Sequence, residues 1–251
     1  MPDFLIIGAM KSGTTSLYNY LVQHPRILPG ARKELHFFNE DVRYAKGLDW
    51  YRRQFPWKKT FRRLGGRITG EATPAYLFHP LVPGRVFEAC PDVKLVAILR
   101  DPVERAYSHY WHAVRAGYET LSFEEALKAE PERTAADEKG VYGRNYLWHS
   151  YQARGIYLEQ IKKWRFFYPK ERMLVLMFED LIKDGEEVTG RVIKFLGLKP
   201  FKINTDKIHN SGDASPPMTP ETKKHLNRYF RPHNIQLSEY LGLKLPWSGL
   251  Q

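Results

Sequence analysis

The chain opens with the stretch that decides its fold, Phe4-Leu5-Ile6-Ile7-Gly8-Ala9-Met10-Lys11-Ser12-Gly13-Thr14-Thr15-Ser16. Its four apolar residues predict a buried strand, and the pattern after the second glycine predicts a helix over residues 13–22. A glycine-bounded turn between a strand and a helix directs several backbone N–H groups and the positive end of the helix dipole at one point. The stretch therefore predicts a phosphate or sulfate site, with an ordinary strand-to-helix turn as the alternative.

The turn differs from the loop of nucleoside triphosphatases. It has the G-x-x-x-x-G spacing, but Thr14 stands where that loop has lysine, and the lysine of this chain is Lys11, inside the turn. A triphosphatase also needs a carboxylate to hold Mg²⁺, whereas the apolar run over residues 93–99 is followed by Arg100 before Asp101. A P-loop phosphotransferase is therefore the weaker alternative.

Short apolar runs recur at residues 4–7, 93–99 and 173–178, each before a polar turn and a helical pattern. This alternation predicts a parallel sheet with helices on both faces. Further helices are expected over residues 102–116 and 149–168, after Phe178 and from about Thr219, and loops over residues 131–146 and 208–218. Because the chain of 251 residues has no internal repeat or linker, one domain over residues 1–251 is expected.

Composition excludes several classes of protein. A hydrophobic content of 43% excludes a disordered chain, and the single cysteine, Cys90, excludes an intrachain disulfide and argues against a cysteine-based zinc site. No apolar stretch approaches the roughly 18 residues of a membrane-spanning helix. No signal peptide is apparent, although a leader removed from the chain would leave no trace.

Four motifs carry a family resemblance: GAMKSGTTSLYNYL at residues 8–21, KELHFF at 33–38, GEATPAY at 70–76 and LRDPVERAYSHY at 99–110. Together they resemble sulfotransferases that use 3′-phosphoadenosine 5′-phosphosulfate (PAPS), most closely the heparan sulfate sulfotransferase branch and its bacterial relatives. The resemblance implies an α/β, P-loop-like, three-layer fold with a central parallel sheet flanked by helices. It also implies a cytoplasmic enzyme of the bacterial type, or one of the Golgi lumen if the chain is part of a longer protein.

The resemblance implies which residues bind PAPS and its product PAP. The 5′-phosphosulfate is assigned to Lys11, Ser12, Gly13, Thr14, Thr15 and Ser16. Arg100 and Ser108 match positions that bind the 3′-phosphate, and an arginine at a strand end can face the same anion as a serine two turns into the next helix. The alternative is an Arg100–Glu104 ion pair beside an exposed serine. Softer assignments to the nucleotide are Tyr157, His209, Asn210, Ser211 and Gly212, the last four forming a plain surface loop in the alternative interpretation.

The KELHFF segment (residues 33–38) is implied to carry the catalysis. The resemblance makes Glu34 the general base toward an acceptor hydroxyl, places His36 in the same site, and makes Lys33 an acceptor-side residue. An alcohol is a weak nucleophile that a positioned carboxylate can assist, and the Lys11 ammonium would stabilise charge on the leaving phosphate. No metal ion is required by that electrostatics. The alternatives are a Glu34–Lys33 surface ion pair and a partly buried His36.

The GEATPAY segment (residues 70–76) is implied to lie beside the acceptor through Glu71, Ala72 and Pro74. The heparan sulfate 3-O-type pattern has lysine where this chain has Ala72, which weakens the expectation of that substrate. In the KELHFF segment, Phe37 and Phe38 are expected in the core rather than against substrate.

The positive charge is concentrated in one stretch. The chain has 39 Lys plus Arg against 28 Asp plus Glu, and nine basic residues and one acidic residue between Arg43 and Arg67 give +8 of the total of +11. Interleaved aromatic residues suit nucleic acid or an anionic polysaccharide, whereas a solvated helix face with inward aromatic rings is the alternative. Because the stretch lies between the KELHFF and GEATPAY segments, we expect it to form an acceptor-side surface. A nucleic-acid partner is not expected.

The sequence therefore predicts an enzyme that transfers the sulfuryl group of PAPS in line to a carbohydrate hydroxyl, anionic glycans included. The alternatives are a small-molecule or lipid alcohol as acceptor, a P-loop phosphotransferase, and a non-enzymatic polyanion binder. Fold alone does not decide the acceptor. A monomer or weak oligomer is expected.

Overall fold

The computed structural model describes residues 1–56, 66–135, 143–206 and 215–247. They fall into two compact units, the described parts of residues 1–99 and 161–211 and those of residues 100–160 and 212–251. Each unit has a hydrophobic core cluster of its own. The single domain expected over residues 1–251 stays a prediction.

The first unit contains a five-stranded, wholly parallel sheet. Its strands are β1 (Phe4–Gly8), β2 (Ile27–Pro29), β3 (Ile68–Ala72), β4 (Lys94–Leu99) and β5 (Met173–Met177), in the spatial order β2-β3-β1-β4-β5. The three strands predicted from apolar runs are confirmed. The other two were not predicted, since β2 has only three residues and β3 contains Gly70 and Glu71 in place of an apolar run.

Helices of the first unit cover the sheet. They are α1 (Thr14–Leu21), α2 (Asp41–Tyr44), α3 (Gly47–Arg52), α4 (Val82–Ala89), α9 (Phe178–Lys183) and α10 (Gly185–Leu196). Phe4 and Ile6 of β1 belong to one core cluster with Leu17 of α1 and Val192 of α10. Successive strand residues point to opposite faces, and all of β1 is buried. The sheet is thus covered on both faces, as expected of a parallel sheet.

The second unit is helical in its described part. It contains α5 (Pro102–Arg115), α6 (Phe123–Ala135), α7 (Arg144–Trp148) and α11 (Pro220–Leu241), and α8 (Tyr157–Phe167) contains the boundary at residue 160. Val103, Phe123 and Phe230 belong to its core cluster. The predicted start of the last helix is confirmed, because the Thr219 hydroxyl accepts from the Thr222 N–H and Pro220 occupies the first turn.

The helix predicted over residues 149–168 begins too early. The structure has a 3₁₀ turn at Ala153–Gly155 and then α8 from Tyr157. The break coincides with close packing: a Cβ at Gly155 would lie 2.6 Å from Phe230 Cε1 and 2.9 Å from Pro102 Cβ, so the chain here lies closer to its neighbours than a side chain allows. The predicted end before Pro169 is correct.

The loop predicted over residues 131–146 is wrong in its described parts, because α6 continues through Pro131 and α7 begins at Arg144. Proline lacks the N–H that would bond the Leu127 carbonyl. The Gln152 side-chain amide donates to that carbonyl at 3.2 Å instead, so the helix tolerates the proline. In the loop predicted over residues 208–218, residues 215–218 have no regular structure and residues 208–214 lie outside the described part.

Candidate functional site

The topology of the first unit singles out the carboxyl end of β1. From β1 the sheet extends through β3 on one side and through β4 on the other. Ligands of open parallel sheets bind outside the carboxyl ends of the strands at such a switch in strand order. The β1–α1 loop (residues 9–13) and the end of β3 both lie at this edge.

The β1–α1 loop has a backbone that few residues adopt. Lys11 has a φ of 66°, in the left-handed region that is uncommon for residues with a Cβ. Gly13 precedes α1 with a φ of 78°, and a Cβ there would lie 2.8 Å from Phe178 Cδ2. At the other end, a Cβ on Gly8 would lie 2.7 Å from Leu77 Cβ. Both glycines are therefore needed for this turn.

The loop and the start of α1 fit a bound anion. Among the described residues, no side chain caps α1 and no acidic residue lies in its first turn, so the positive end of the helix is not neutralised. Ser12 Oγ is buried and has no hydrogen-bond partner within the described part of the chain. Thr14 and Ser16 are also buried, while Thr15 is half-buried. These donors suit the oxygen atoms of a phosphosulfate.

The KELHFF segment connects directly to the start of α1. Lys33 Nζ donates to Thr15 Oγ1 at 2.9 Å and forms an ion pair with Glu34. Glu34 Oε2 lies 3.2 Å from His36 Nε2, and His36 has a φ of 52°. The segment thus brings a carboxylate, an imidazole and an ammonium group together beside the start of α1.

Two opposing effects set the protonation of Glu34. Burial by itself raises its pKa, but the hydrogen bond with His36 and the charge of Lys33 together outweigh burial and hold the pKa below its usual value. The side chain keeps 36% of its exposure. Glu34 is therefore an ionised carboxylate at neutral pH that solvent can reach.

His36 also lies next to a pair of charged side chains, Glu40 and Arg43. His36 Nδ1 lies 3.8 Å from Glu40 Oε1, and the other oxygen of Glu40 lies 2.6 Å from Arg43 Nε. Arg43 also donates to the Leu35 carbonyl at 2.6 Å. From sequence, Glu40 had no assigned role and Arg43 was assigned only to the basic stretch, since nothing in their spacing connects them to the motif.

Glu71 lies beneath the KELHFF segment rather than on an open surface. Its side chain has 0% exposure, and its oxygens accept hydrogen bonds from the Tyr51, Tyr76 and Thr73 hydroxyls and from the Leu35 N–H. Burial raises the pKa of Glu71 above its usual value, although these hydrogen bonds counteract the shift. A carboxylate so enclosed has no free face for an acceptor.

Of the other acceptor-side residues in the GEATPAY segment, Ala72 has 0% exposure and its N–H donates to the Lys33 carbonyl at 2.9 Å. Pro74 is half-buried. Phe37 and Phe38 are fully buried, which confirms their prediction as core residues. Pro74 is thus the only one of the three predicted acceptor contacts in this segment, all within the described residues, whose side chain reaches the surface.

In the second unit, the predicted nucleotide residue Arg100 lies just before α5, Ser108 lies within α5, and Tyr157 begins α8. Asp101 caps that helix by accepting from the Val103 N–H, and Arg100 and Ser108 are both half-buried. The hydroxyl of Tyr157 donates to the Arg100 carbonyl at 2.8 Å. Tyr157 therefore contacts the backbone of Arg100.

The sequence left open an ion pair between Arg100 and Glu104 and a plain surface loop at residues 209–212. Glu104, a possible partner of Arg100, forms an ion pair with Lys223 at 2.9 Å. His209, Asn210, Ser211 and Gly212 lie outside the described residues, and their assignment to the nucleotide stays a prediction.

The basic stretch is partly neutralised in its described residues. Arg52 pairs with Asp49 at 3.0 Å, and Arg43 pairs with Glu40. Lys46 lies over the Trp50 ring, with Nζ 4.9 Å from its centroid. Tyr51 and Phe55 face inward and are buried, as the amphipathic alternative predicts. Four of the basic residues lie outside the described part: Lys58, Lys59, Arg62 and Arg63.

Comparison with known proteins shows the family. A family model for the sulfotransferase domain matches residues 1–233, and the chain belongs to this family. The crystal structure of a sulfotransferase from Alicyclobacillus acidocaldarius is similar to it, with a TM-score of 0.74, 34% sequence identity, and coverage of 98% of this chain and 97% of that one. The predicted fold class and enzyme class, a sulfotransferase, are confirmed.

Curated relatives include the branch that the motifs resemble. Human heparan sulfate glucosamine 3-O-sulfotransferase 3A1 is 32% identical over 99% of this chain and 63% of its own length. The membrane-associated sulfotransferase kil1 of Dictyostelium discoideum is 26% identical over 99% of this chain and 67% of its own length. The chain thus spans about two thirds of the length of these two relatives.

The described residues contain neither a candidate membrane-spanning helix nor a candidate metal site. No helix among them is both long and apolar enough to cross a membrane. In the same part of the chain, no three His, Cys, Asp or Glu side chains form a group suited to a metal ion.

Proposed function

We propose that this protein transfers the sulfuryl group of PAPS to a hydroxyl group of a carbohydrate acceptor. The hydrogen bond from Lys33 to Thr15 carries the proposal, because it joins the carboxylate-bearing KELHFF segment to an anion-binding helix start. A base and an anion site that share one ammonium group suit transfer from an anionic donor to an alcohol.

The β1–α1 loop and the start of α1 would hold the 5′-phosphosulfate of the donor. Ser12 Oγ and the first-turn N–H groups are the donors that support this assignment. Arg100 and Ser108 would bind the 3′-phosphate by analogy with the family, with Tyr157 holding the Arg100 backbone. The loop of residues 209–212 would complete the nucleotide contacts.

Glu34 would accept the proton of the acceptor hydroxyl as that oxygen bonds to sulfur. Its lowered pKa keeps it ionised, and His36 fixes the orientation of one carboxylate oxygen. Lys11 would stabilise the charge that develops on the phosphate oxygen when the sulfur–oxygen bond breaks. Bound PAPS supplies the sulfuryl group, and PAP is the other product.

A carbohydrate acceptor is supported by the relatives named for heparan sulfate glucosamine and by the basic stretch beyond the KELHFF segment. A small-molecule or lipid alcohol is the second candidate. It is favoured by Ala72, which is buried where the 3-O-type pattern has a lysine. A cytoplasmic location stays a prediction.

The proposal is tested by thermal shift with PAP, followed by an assay of sulfate transfer from radiolabelled PAPS. The acceptor panel contains desulfated and partly sulfated heparan oligosaccharides, neutral oligosaccharides, phenols and long-chain alcohols. We expect PAP to raise the melting temperature and an oligosaccharide to be the best acceptor.

Other outcomes separate the alternatives. Magnesium-dependent consumption of ATP without a PAP shift would establish a phosphotransferase. Binding of DNA or RNA at physiological salt without a PAP shift would establish a polyanion binder. Transfer to phenols or alcohols alone would replace the carbohydrate acceptor.

A further inference from the structure

Most N–H groups of the KELHFF segment bond to side chains rather than to another backbone. The segment has no regular secondary structure, so its N–H groups need partners elsewhere. Four successive N–H groups, those of Leu35, His36, Phe37 and Phe38, donate to side chains of the GEATPAY segment.

Three side chains accept these bonds. The Leu35 N–H donates to Glu71 Oε2 at 3.1 Å and to Thr73 Oγ1 at 3.2 Å. Thr73 Oγ1 also lies 3.4 Å from the next N–H along the segment, and the Tyr76 hydroxyl accepts the following two at 3.1 and 3.5 Å. The residues that carry the reacting groups, Glu34 and His36, thus belong to a backbone fixed by three neighbouring side chains.

The direction of these hydrogen bonds depends on Glu71. A hydroxyl has one proton, so Thr73 and Tyr76 present acceptor oxygens to the segment when their own protons are directed elsewhere. Both hydroxyls donate their protons to Glu71. The oxygen–oxygen distance is 2.6 Å for Thr73 and 3.0 Å for Tyr76. Because the Glu71 oxygens accept both protons, Glu71 orients the two hydroxyl oxygens toward the N–H groups.

We infer that Glu71, Thr73 and Tyr76 are positioning residues that hold the KELHFF segment, and with it Glu34, in the geometry required for proton transfer. This replaces the expected acceptor contact of Glu71 by a role beneath the segment. The inference rests on the proposed function for its kinetic consequence, whereas its structural consequence can be measured without any acceptor.

Tyr51 provides a matched control for Tyr76. Both rings are fully buried, and both hydroxyls donate to Glu71 Oε1, Tyr51 at 2.7 Å and Tyr76 at 3.0 Å. Of the two, Tyr76 also accepts from the KELHFF backbone. A Tyr→Phe change at either position keeps the ring and removes one donor from the same oxygen, so both variants measure support of Glu71 and only one measures support of the segment.

The first experiment compares Tyr76→Phe with Tyr51→Phe. For Tyr76→Phe we expect kcat to fall about tenfold with the KM for PAPS within about twofold, since misplacement of a reacting group affects the chemical step. For Tyr51→Phe we expect a kcat within about twofold of the parent protein and a similar loss of melting temperature. Equal kcat values in the two variants would overturn the inference.

A second pair of variants, at position 73, separates loss of the hydroxyl from loss of folding. Thr73→Ser keeps the hydroxyl and should keep kcat, whereas Thr73→Val removes it at nearly constant volume and should lower kcat about tenfold. Rescue by serine separates the hydrogen bonds from packing. Equal loss in both variants would contradict the inference.

Hydrogen exchange of a peptide covering residues 33–38 gives a readout that needs no activity. Tyr76→Phe and Thr73→Val should each speed exchange in this peptide by about tenfold, and Tyr51→Phe should not. Unchanged exchange in Tyr76→Phe would overturn the inference even if transfer is observed. Faster exchange in a protein without transfer activity would uphold the positioning role and refute the proposed function instead.

Discussion

The KELHFF and GEATPAY segments each contribute a glutamate, and the two carboxylates differ in exposure, in their partners and in the direction of their pKa shifts. Glu34 is partly exposed and paired with an ammonium and an imidazole group, which lower its pKa. Glu71 is buried among hydroxyls and one backbone N–H, and burial raises its pKa. Two carboxylates of one protein thus have opposite pKa shifts because their surroundings differ, and only Glu34 is open to an acceptor.

The largest expected effect belongs to the exposed carboxylate. Glu34→Gln keeps the shape of the side chain but cannot accept the acceptor proton, so we expect turnover to fall at least about a hundredfold while the fold is retained.

Lys11→Ala should lower turnover to a similar degree, because the ammonium group proposed to stabilise the leaving phosphate is lost. Steady-state transfer assays and circular dichroism measure both results.

Glu40→Gln is the matched control for Glu34→Gln. Glu40 has a similar exposure, 38% against 36%, and also faces His36, but it has no assigned reaction step. Its variant should keep turnover within about threefold. Near-normal turnover in Glu34→Gln would remove Glu34 from the reaction.

The buried carboxylate should show its effect in stability. Glu71→Gln replaces an acceptor by a donor on one side of a fully hydrogen-bonded group, which costs about 1–3 kcal/mol. Because burial raises the pKa of Glu71 in the folded state, its contribution is greatest below the pKa of the unfolded chain and is lost as pH rises through the folded pKa.

The difference in the free energy of unfolding between the parent protein and Glu71→Gln should therefore shrink from about pH 4 to about pH 7. Urea denaturation at several pH values measures it. A difference that grows with pH would mean that the hydrogen bonds to Glu71 outweigh its burial.

A smaller effect is expected from Lys33. Its charge is one cause of the lowered pKa of Glu34, so Lys33→Met should move the acidic limb of kcat/KM to higher pH and lower activity at about pH 5 relative to pH 7. Lys46→Met is the control, since Lys46 lies over Trp50. An acidic limb that does not move in Lys33→Met would show that Lys33 does not set the protonation of Glu34.

The smallest effect is the pH dependence of stability that Glu34 contributes. Its lowered folded pKa contributes stability above the pKa of the unfolded chain, and this is lost as pH falls through the folded pKa. The stability difference between the parent protein and Glu34→Gln should thus shrink as pH falls, opposite to the trend for Glu71→Gln. The same denaturation series checks the sign, and a shared trend would abolish the contrast between the two carboxylates.

Local chemistry explains which features were predictable from sequence. The β1–α1 loop and α1 depend on a short apolar run and two glycines, so their pattern was sufficient. The role of Glu71 was not predictable, because its partners at Leu35 and Tyr51 are brought to it only by the folded chain. The hydroxyls of Thr73 and Tyr76 were a visible signal within the GEATPAY segment.

The same division applies to the helices. The helix expected from residue 149 gives way to a 3₁₀ turn whose Gly155 packs against Phe230, a contact that periodicity cannot reveal. A loop was predicted from Pro131, yet α6 continues through it and the Gln152 side chain satisfies the carbonyl that proline leaves open. Both errors arise from long-range partners rather than from local propensity.

Lys11 and His36 both have a left-handed backbone, which lowers the stability of the fold at two residues that the proposed function uses. Each residue with a Cβ in this region costs about 1–2 kcal/mol relative to glycine. Replacing either by glycine would relax the backbone and at the same time remove a side chain to which the proposed function gives a role. A selection for thermal stability alone would therefore tend to favour glycine at these two positions and to remove the side chains that the proposed function uses.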